Sequence, residues 1–294
     1  MSLVNDYTTT KLLGSGRLGQ VFLANKKGKC FAVKKFNTDK KTTNVARQEI
    51  RLLKQVEHRH LVKYYGHFME EKIVCLVLEY ADKGTMEKFV LTQDQEEWDV
   101  WRFTSHVASA LDFLHSKQIL HFNLKPCKIL GVTEPSRNTK EPGHRIYWKL
   151  TDVGASKTLT RDVQEVYSVG NLPVYLGPEV LTDLESYTAA SDIWSLACVT
   201  AFYMRGGEHL FNNKDDVLKF KPGESRVFDN KEASFFSSSL TKMVLSMLQE
   251  GTMNMDFINA CPSYFSFQVK PGLRPTAQAV CALCTYEKRE GGLH

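Results

Sequence analysis

The amino-acid sequence predicts an α+β protein in which antiparallel strands come first and helices dominate the rest. Apolar and polar residues alternate across residues 11–36 and an apolar run fills residues 73–79, which is typical of strands. Apolar residues recur at helical spacing across residues 42–56 and 98–115. With 294 residues and 43% hydrophobic content the chain can bury one large core or two smaller ones, and its length suits two lobes that close on a cleft.

Three glycines, Gly14, Gly16 and Gly19, lie between the first two predicted strands. These strands are expected to form an antiparallel pair joined by a glycine loop, and a third strand follows at residues 30–34. Backbone amides in such a loop can approach phosphate oxygens closely, because glycine has no side chain in the way. The glycine pattern alone is a weak signal, and a tight hairpin is the alternative interpretation.

The later segments predict helices and loops. Residues 98–115 predict a long buried helix that leads into residues 121–130. Residues 131–147 are rich in Thr, Pro, Ser, Asn, Lys and Gly and predict an enlarged hairpin loop, which is either inert or a partner contact. Cys281 and Cys284 share a predicted apolar helix, and core packing is favoured over metal or redox chemistry because no second ligand pair is in view.

Residues 121–130 read His-Phe-Asn-Leu-Lys-Pro-Cys-Lys-Ile-Leu. They resemble the catalytic loop of the eukaryotic protein kinases, His-Arg-Asp-Leu-Lys-Pro-x-Asn-Ile-Leu, in which the aspartate accepts the substrate hydroxyl proton and the asparagine holds a magnesium ion. In this chain Phe122 replaces the arginine, Asn123 replaces the base and Lys128 replaces the metal ligand. Lys125 is kept, and the Lys-Pro pair that it begins indicates the serine/threonine branch.

Other segments resemble the same family, in the same order along the chain. They are the glycine loop, the Ala32-Val33-Lys34 strand, Glu49 on the αC helix, the hinge at 79–84, the Asp152-Val153-Gly154 turn, the 175–179 end of the activation segment, and the Asp192 and Arg274 motifs. The resemblance covers residues 7–286. It implies the bilobal protein kinase fold, with a five-stranded antiparallel sheet and the αC helix in an N-lobe of residues 7–79 and a mainly helical C-lobe of residues 80–286.

The resemblance implies ATP binding in the cleft between the lobes, with at most one magnesium ion. It assigns to the nucleotide site Leu13, Gly14, Gly16, Gly19 and Val21 of the glycine loop, Ala32, Lys34 and Glu49 of the next strand and helix, Leu78, Glu79 and Ala81 of the hinge, and Leu130 and Asp152. Lys34 would contact the α- and β-phosphates and pair with Glu49. Asp152 would be the remaining metal ligand. The alternatives are that Glu49 is a solvated helix residue and that Leu78 is ordinary strand core.

The replacements in the catalytic loop remove chemistry that the family needs. An amide at Asn123 cannot take a proton near neutral pH, so general-base help worth about 10² to 10⁴ in rate is lost or much reduced. Lys128 puts a cation where a neutral metal ligand is expected, which excludes a second magnesium ion. Its ammonium could instead pair with Asp152 or with a phosphate, as a fixed substitute for the ion. Phe122 has the simplest interpretation, which is that it fills space.

Three further residues carry structural expectations from the resemblance. Asp192 would cap the backbone of the catalytic loop. Arg274 would pair with Glu179 inside the C-lobe, since a guanidinium and a carboxylate can form two parallel hydrogen bonds. Leu172 stands where serine/threonine kinases carry a threonine that supports the base, so substrate positioning is also expected to be weakened.

Three functions follow from these residues, of which a pseudokinase is the preferred one. It would bind ATP and act as a scaffold or allosteric regulator. The second hypothesis is a weakly active serine/threonine kinase, because phosphoryl transfer depends chiefly on positioning and charge stabilisation. The third is a protein-interaction module that binds no nucleotide.

Charge and composition limit the partners. The formal net charge is +5, and Lys and Arg outnumber Asp and Glu by 15 to 7 within residues 1–79 but are outnumbered by 26 to 23 in the remainder. The basic clusters predict solvated loops or contact with an acidic protein partner or client kinase, and neither nucleic acid nor membrane is expected. The N-terminus has no signal-peptide pattern, and seven cysteines without framework spacing fit reduced thiols, so a cytoplasmic location is expected.

Overall fold

The structure is a computed structural model that describes residues 7–92, 96–133, 146–153, 157–158, 173–183, 186–221, 236–249 and 275–290. The chain forms two compact units. The first contains the described residues up to Gly84 together with residues 130–153, and the second contains residues 85–129 and the described residues from Lys157 onward. The lobe boundary between residues 79 and 80 stays a prediction.

Ten strands are present in the described ranges. They are β1 (Thr8–Gly16), β2 (Gly19–Lys26), β3 (Lys29–Phe36), β4 (Tyr64–Glu70), β5 (Ile73–Glu79), β6 (Gly84–Thr85), β7 (Ile119–Leu120), β8 (Ile129–Thr133), β9 (Ile146–Leu150) and β10 (Lys157–Thr158). The first five form one antiparallel sheet in the order β1-β2-β3-β5-β4, so the predicted five-stranded sheet is confirmed. Strands β6, β8 and β9 form a three-stranded sheet, and β7 pairs with β10.

Helix α1 (Lys40–Leu53) is the helix of the first unit and was predicted over residues 42–56. It begins earlier because the Asp39 carboxylate accepts a hydrogen bond from the backbone amide of Thr42 at 2.9 Å and so satisfies one of the unpaired amides of the first turn. It ends before Val56 because Lys54 is already the C-cap. Its buried face carries Glu49, which faces β3.

The second unit is mainly helical. Its helices are α2 (Met86–Val90), α3 (Glu97–Ser116), α4 (Pro178–Thr182), α5 (Ala189–Met204), α6 (Lys214–Lys219), α7 (Ser238–Met247) and α8 (Ala277–Glu290). All residues from Ala190 to Met204 are buried, so α5 forms the centre of this unit, and it packs against α3 and α7. The long helix predicted over residues 98–115 is confirmed as α3.

The loop was predicted over residues 131–147, but residues 131–133 belong to β8 and residues 146–147 to β9, so these bounds are too wide. Residues 134–145, between the two strands, lie outside the described residues. The six cysteines within the described ranges are free thiols. Cys281 and Cys284 share α8, and the Cys284 thiol lies 3.7 Å from the sulfur of Met243 in the core. In the part of the chain that is described, no helix combines the length and apolarity needed to cross a membrane.

His60 makes the first unit sensitive to acid. Its side chain is 5% exposed and its Nδ1–H donates to the Trp148 carbonyl at 3.1 Å. Burial lowers the pKa of His60 to about 3 from an ordinary value of 6.5. As the pH falls below 6.5 the unfolded chain therefore takes up a proton before the folded one does, and folding stability is lost.

Because of His60, we expect the free energy of unfolding to fall by about 1.4 kcal/mol for each pH unit below 6.5. Thermal unfolding followed over a pH series checks this. His60→Gln keeps an N–H donor and does not titrate, so its stability should depend less steeply on pH. Equal slopes for the two proteins would contradict the assignment.

Candidate functional site

Lys34, Glu49 and Asp152 form a buried ionic cluster in the first unit. The Lys34 Nζ lies 3.0 and 2.9 Å from the two carboxylate oxygens of Glu49 and 2.7 Å from Oδ1 of Asp152. Lys34 lies on β3, Glu49 on α1, and Asp152 two residues after β9. The predicted pair of Lys34 with Glu49 is confirmed, and the solvated alternative for Glu49 is wrong, since it is 2% exposed. The contact with Asp152 was not predicted.

The two carboxylates fix the charge on Lys34. Burial alone would lower its pKa, but Asp152 and Glu49 together raise the pKa of Lys34 above its ordinary value. The ammonium is therefore charged across the physiological pH range. With two carboxylates around one ammonium, the cluster carries an excess of one negative charge when all three groups are ionised.

Three apolar residues assigned to the nucleotide share the sheet face of Lys34. Val21 lies opposite Lys34 in the ladder between β2 and β3, and Ala32 lies opposite Leu78 in the ladder between β3 and β5. Ala32 is two residues from Lys34 on the same strand, so its side chain points to the same side. Ala32 and Leu78 are 8% and 7% exposed, respectively. The face beside Lys34 is thus apolar, as an adenine ring requires.

Gly14 and Gly16 lie in β1 and Gly19 begins β2, so the two strands join in a tight hairpin, as the alternative interpretation had it, rather than through a glycine loop. The three glycines serve different purposes. Gly19 has φ +148°, and a Cβ there would lie 2.0 Å from the carbonyl oxygen of Lys35. Gly19 is therefore required by the packing of β2 against β3. At Gly14 and Gly16 an added Cβ would meet nothing within 4 Å. The space above these two glycines is open to a ligand.

This difference predicts opposite effects for two alanine variants. Gly19→Ala should lower the free energy of unfolding by about 1–3 kcal/mol, because the backbone must shift to relieve the overlap. Gly14→Ala should change it by no more than about 0.5 kcal/mol and should instead weaken ATP binding. Chemical denaturation and ATP titration of both variants test this. A destabilised Gly14→Ala with unchanged ATP affinity would contradict the assignment.

The remaining predicted nucleotide residues lie in the same unit. Leu13 is at a register shift between β1 and β2, and Leu130 is on β8. The backbone amide of Glu79 donates to the Lys63 carbonyl at 2.9 Å, so this amide is already used. The Glu79 carboxylate is 2.8 Å from Nζ of Lys149. The contacts of Leu13, Glu79, Ala81 and Leu130 with adenine stay predictions.

Asp192 holds the catalytic-loop segment of the second unit, as predicted. It is fully buried, and its carboxylate accepts hydrogen bonds from the backbone amides of His121 at 2.9 Å and Phe122 at 3.1 Å. His115 Nε2 at 2.8 Å and the Tyr187 hydroxyl at 2.5 Å also donate to it. Burial would raise the pKa of Asp192, but these contacts hold that pKa below its ordinary value. The sequence pattern did not indicate His115 or Tyr187 as partners of Asp192.

Phe122 does more than fill space at the arginine position. Its ring stacks on the Tyr187 ring with centroids 3.8 Å apart and planes at 12°. Its backbone has φ +67°, which is uncommon for a residue with a side chain. The ring joins a buried cluster with Leu120, Leu176, Val180 and Tyr187. The loop is therefore held by apolar packing where an arginine would place a cation.

Asn123, at the position of the base, is 8% exposed. Its backbone amide donates to His121 Nδ1 at 3.3 Å, and its side-chain Oδ1 has no hydrogen-bond partner in the described ranges. Lys125 precedes the short 3-10 helix Pro126–Lys128 and Lys128 ends it, and both lysines are half-buried. A buried amide oxygen can accept a hydrogen bond from a ligand but cannot take its proton.

Asp152 is the one residue that the sequence assigned to magnesium. Within the described residues no group of three or more His, Cys, Asp or Glu side chains is placed to hold a metal ion. Kinases hold magnesium with one or two carboxylates together with substrate phosphates. The first unit offers the Asp152 carboxylate for this purpose, and Lys34 already contacts it. Among the described residues Asp152 can thus serve as a ligand for one ion, and the limit of one ion stays a prediction.

Three expectations fall on residues outside the described ranges. Gly154 was expected to complete the turn that begins at Asp152, and Leu172 was expected to weaken substrate positioning. Arg274 was expected to pair with Glu179. In the described part Glu179 accepts a hydrogen bond from the Ser191 hydroxyl at 2.9 Å.

Comparison with known proteins agrees with this geometry. The family model of the protein kinase domain matches residues 7–281. Mitogen-activated protein kinase kinase kinase 3 of Arabidopsis thaliana is 30% identical over 277 residues, which cover 91% of this chain and 40% of that protein. Calcium-dependent protein kinase 5 of Plasmodium berghei is 33% identical over 244 residues, covering 80% of this chain and 41% of the relative.

A further relative is the probable serine/threonine-protein kinase nek3 of Dictyostelium discoideum, 27% identical over 270 residues that cover 87% of this chain and 23% of the relative. The chain spans less than half the length of each of these three proteins. Since the family match extends from β1 into α8, the chain belongs to the protein kinase family, on its serine/threonine branch.

Proposed function

We propose that this chain is a pseudokinase. It binds ATP beside Lys34, with little dependence on magnesium, and transfers the γ-phosphate slowly or not at all. Its role is that of a scaffold or allosteric regulator for a protein partner, such as a client kinase. The observation that carries the proposal is the buried amide of Asn123 at the position where the family has its base.

Nucleotide binding is supported by the first unit. Lys34, Glu49 and Asp152 are in contact, the face beside Lys34 is apolar, and the space at Gly14 and Gly16 is open. A charged ammonium paired with a helix glutamate is the arrangement that contacts the α- and β-phosphates in kinases. ATP carries the adenine and phosphates that such a surface recognises.

Weak transfer is supported by two replacements in the second unit. Asn123 cannot act as a general base, which removes about 10² to 10⁴ in rate. Lys128 places a cation at a metal-ligand position, and two like unit charges about 4 Å apart repel by about 4 kcal/mol at an effective dielectric constant near 20. A second magnesium ion is disfavoured there.

Calorimetric titration with ATP and ADP tests the binding half, first with EDTA and then with increasing magnesium. We expect binding in EDTA and a change in affinity below about threefold across the magnesium series, since Lys34 already neutralises part of the carboxylate charge. An absence of binding under every condition would favour the module that binds no nucleotide. A steep gain in ATP affinity with magnesium would contradict the proposal that binding depends little on this ion.

A weakly active serine/threonine kinase is the second candidate, because Lys34, Glu49 and Asp152 are all in place. Phosphoryl transfer relies chiefly on positioning and charge stabilisation, and these residues can still supply part of both. This candidate predicts a measurable transfer to a protein hydroxyl that disappears in Asp152→Ala. Equal background labelling in the two proteins would exclude it.

A further inference from the structure

The five-stranded sheet has a second face, directed away from the nucleotide residues. Lys34 reaches Glu49 of α1, so its neighbours Val33 and Lys35 point to the opposite side of β3. On that side Ala24, Val33, Cys75 and Val77 form a small buried cluster, with Tyr7, Phe31, Phe68 and Ile73 packed against it. Helix α1 lies on the Lys34 face and does not cover this cluster. Aromatic side chains pack against the cluster instead.

Four aromatic side chains on this side form a continuous surface, which we call the aromatic face: Tyr7, Phe31, Tyr65 and Phe68. Tyr7 lies edge-on to Phe31 at 5.3 Å and parallel to Phe68 at 6.0 Å between centroids, and Phe31 lies edge-on to Tyr65 at 5.2 Å. Tyr65 is at a register shift of β4 and is 52% exposed. The others are half-buried, so the surface is apolar and Tyr65 is its most exposed ring.

The charge beside the aromatic face is positive. Lys26 Nζ lies 4.5 Å above the Tyr7 ring, and Lys27 and Lys29 continue the same hairpin between β2 and β3. Lys27 and Lys29 are exposed and make no ion pair with any residue that the structure describes. Two carboxylates on this side are already paired: Glu70 lies 2.5 Å from Nζ of Lys35, and Glu79, opposite Phe31 in the ladder between β3 and β5, lies 2.8 Å from Nζ of Lys149. An occupant of this surface should therefore supply negative charge.

We propose that the aromatic face, together with Lys27 and Lys29, is a docking surface for an acidic protein segment that carries apolar side chains. The apolar side chains would cover Phe31 and Tyr65, where tyrosine gives much contact area for little lost conformational entropy. The acidic groups would meet the hairpin lysines, which steers the encounter and selects the partner. This surface is on the sheet face opposite Lys34, so the proposal goes beyond nucleotide binding and does not depend on it.

A protein segment fits this surface better than an anionic membrane. Peripheral membrane binding requires apolar side chains that enter the bilayer by about 5–10 Å. Three of the four rings are half-buried in the sheet and cannot extend that far, which leaves only Tyr65. A segment that lies along the sheet can cover all four rings at once.

Fluorescence anisotropy with three short labelled peptides tests the proposal on the full chain. The peptides share the same Leu and Phe positions and carry Glu, Gln or Lys at all other positions. We expect the Glu peptide to bind at least about tenfold more tightly than the Gln peptide at low salt, and the Lys peptide not to bind. Saturating ATP should leave the affinity unchanged. Failure of the Glu peptide to bind would overturn the proposal.

Matched variants locate the binding. K27E/K29E and Tyr65→Ala should each weaken the Glu peptide by about tenfold or more. The control K40E/K41E makes the same charge change at the exposed start of α1, on the other face, and should have a much smaller effect. Equal losses in both double variants, or none in Tyr65→Ala, would overturn the proposal. Two further results would also overturn it: vesicles of anionic lipid that bind where no peptide does, and self-association, seen by sedimentation, that Tyr65→Ala abolishes.

Discussion

Lys34→Met is expected to abolish ATP binding and to lower the free energy of unfolding by about 3–5 kcal/mol. Methionine keeps the apolar stem of the side chain but removes the ammonium that contacts both carboxylates. Glu49, at 2% exposure, is then left buried without its cation, and Asp152 loses its nearest positive charge. Denaturant unfolding followed by tryptophan fluorescence gives the stability, and calorimetric ATP titration gives the binding.

Lys35→Met is the matched control for this variant. Lys35 is the next residue on β3 and pairs with Glu70 at 2.5 Å, but the Glu70 side chain is 41% exposed. Exposed ion pairs contribute about 0–1 kcal/mol, so the loss of stability should be small and ATP binding should persist. Similar losses of stability in both variants would contradict a special role for the buried cluster.

Asp192→Ala is expected to cost about 3–5 kcal/mol, enough to unfold the second unit or to leave it poorly folded. The carboxylate accepts four hydrogen bonds, and two of the donors are backbone amides of the catalytic-loop segment. Buried amides that lose their acceptor cost about 1–3 kcal/mol each. The measurement is the midpoint of denaturant unfolding, with circular dichroism to establish whether the variant folds.

Two controls separate this effect from a general loss of acidic residues. Asp192→Asn keeps one acceptor oxygen and should lose less stability than the alanine variant. Asp215→Ala removes an exposed carboxylate in the first turn of α6, where the favourable interaction with the helix dipole is about 0.3–1 kcal/mol. An Asp192→Ala protein as stable as Asp215→Ala would contradict the structural role of Asp192.

Much of the fold was predictable because the relevant signals are local. Period-two alternation predicted strands around Lys34, and helical spacing predicted α3. The order of the kinase-like segments placed Lys34 and Glu49 together, and the structure brings their charged groups within 3.0 Å. Asp192 was predicted to cap the catalytic loop for the same reason. In each of these cases one short stretch of sequence indicates both the secondary-structure element and the functional residue on it.

The contacts that sequence reasoning missed join distant parts of the chain. Lys34 and Asp152 are 118 positions apart, and His115 and Asp192 are 77 apart. Whether such groups touch depends on how elements pack, and no local pattern encodes that. The separate roles of Gly19 and Gly14 were also hidden, because the close approach of the Lys35 carbonyl to Gly19 appears only in the folded sheet.

A phosphotransfer assay tests the central claim most directly, with the protein in excess over γ-labelled ATP, magnesium present and a peptide with serine and threonine hydroxyls as acceptor. We expect the peptide to gain label slowly or not at all, because the Asn123 amide cannot take the hydroxyl proton. Rapid, magnesium-stimulated labelling of the peptide that is lost in Asn123→Ala would contradict it.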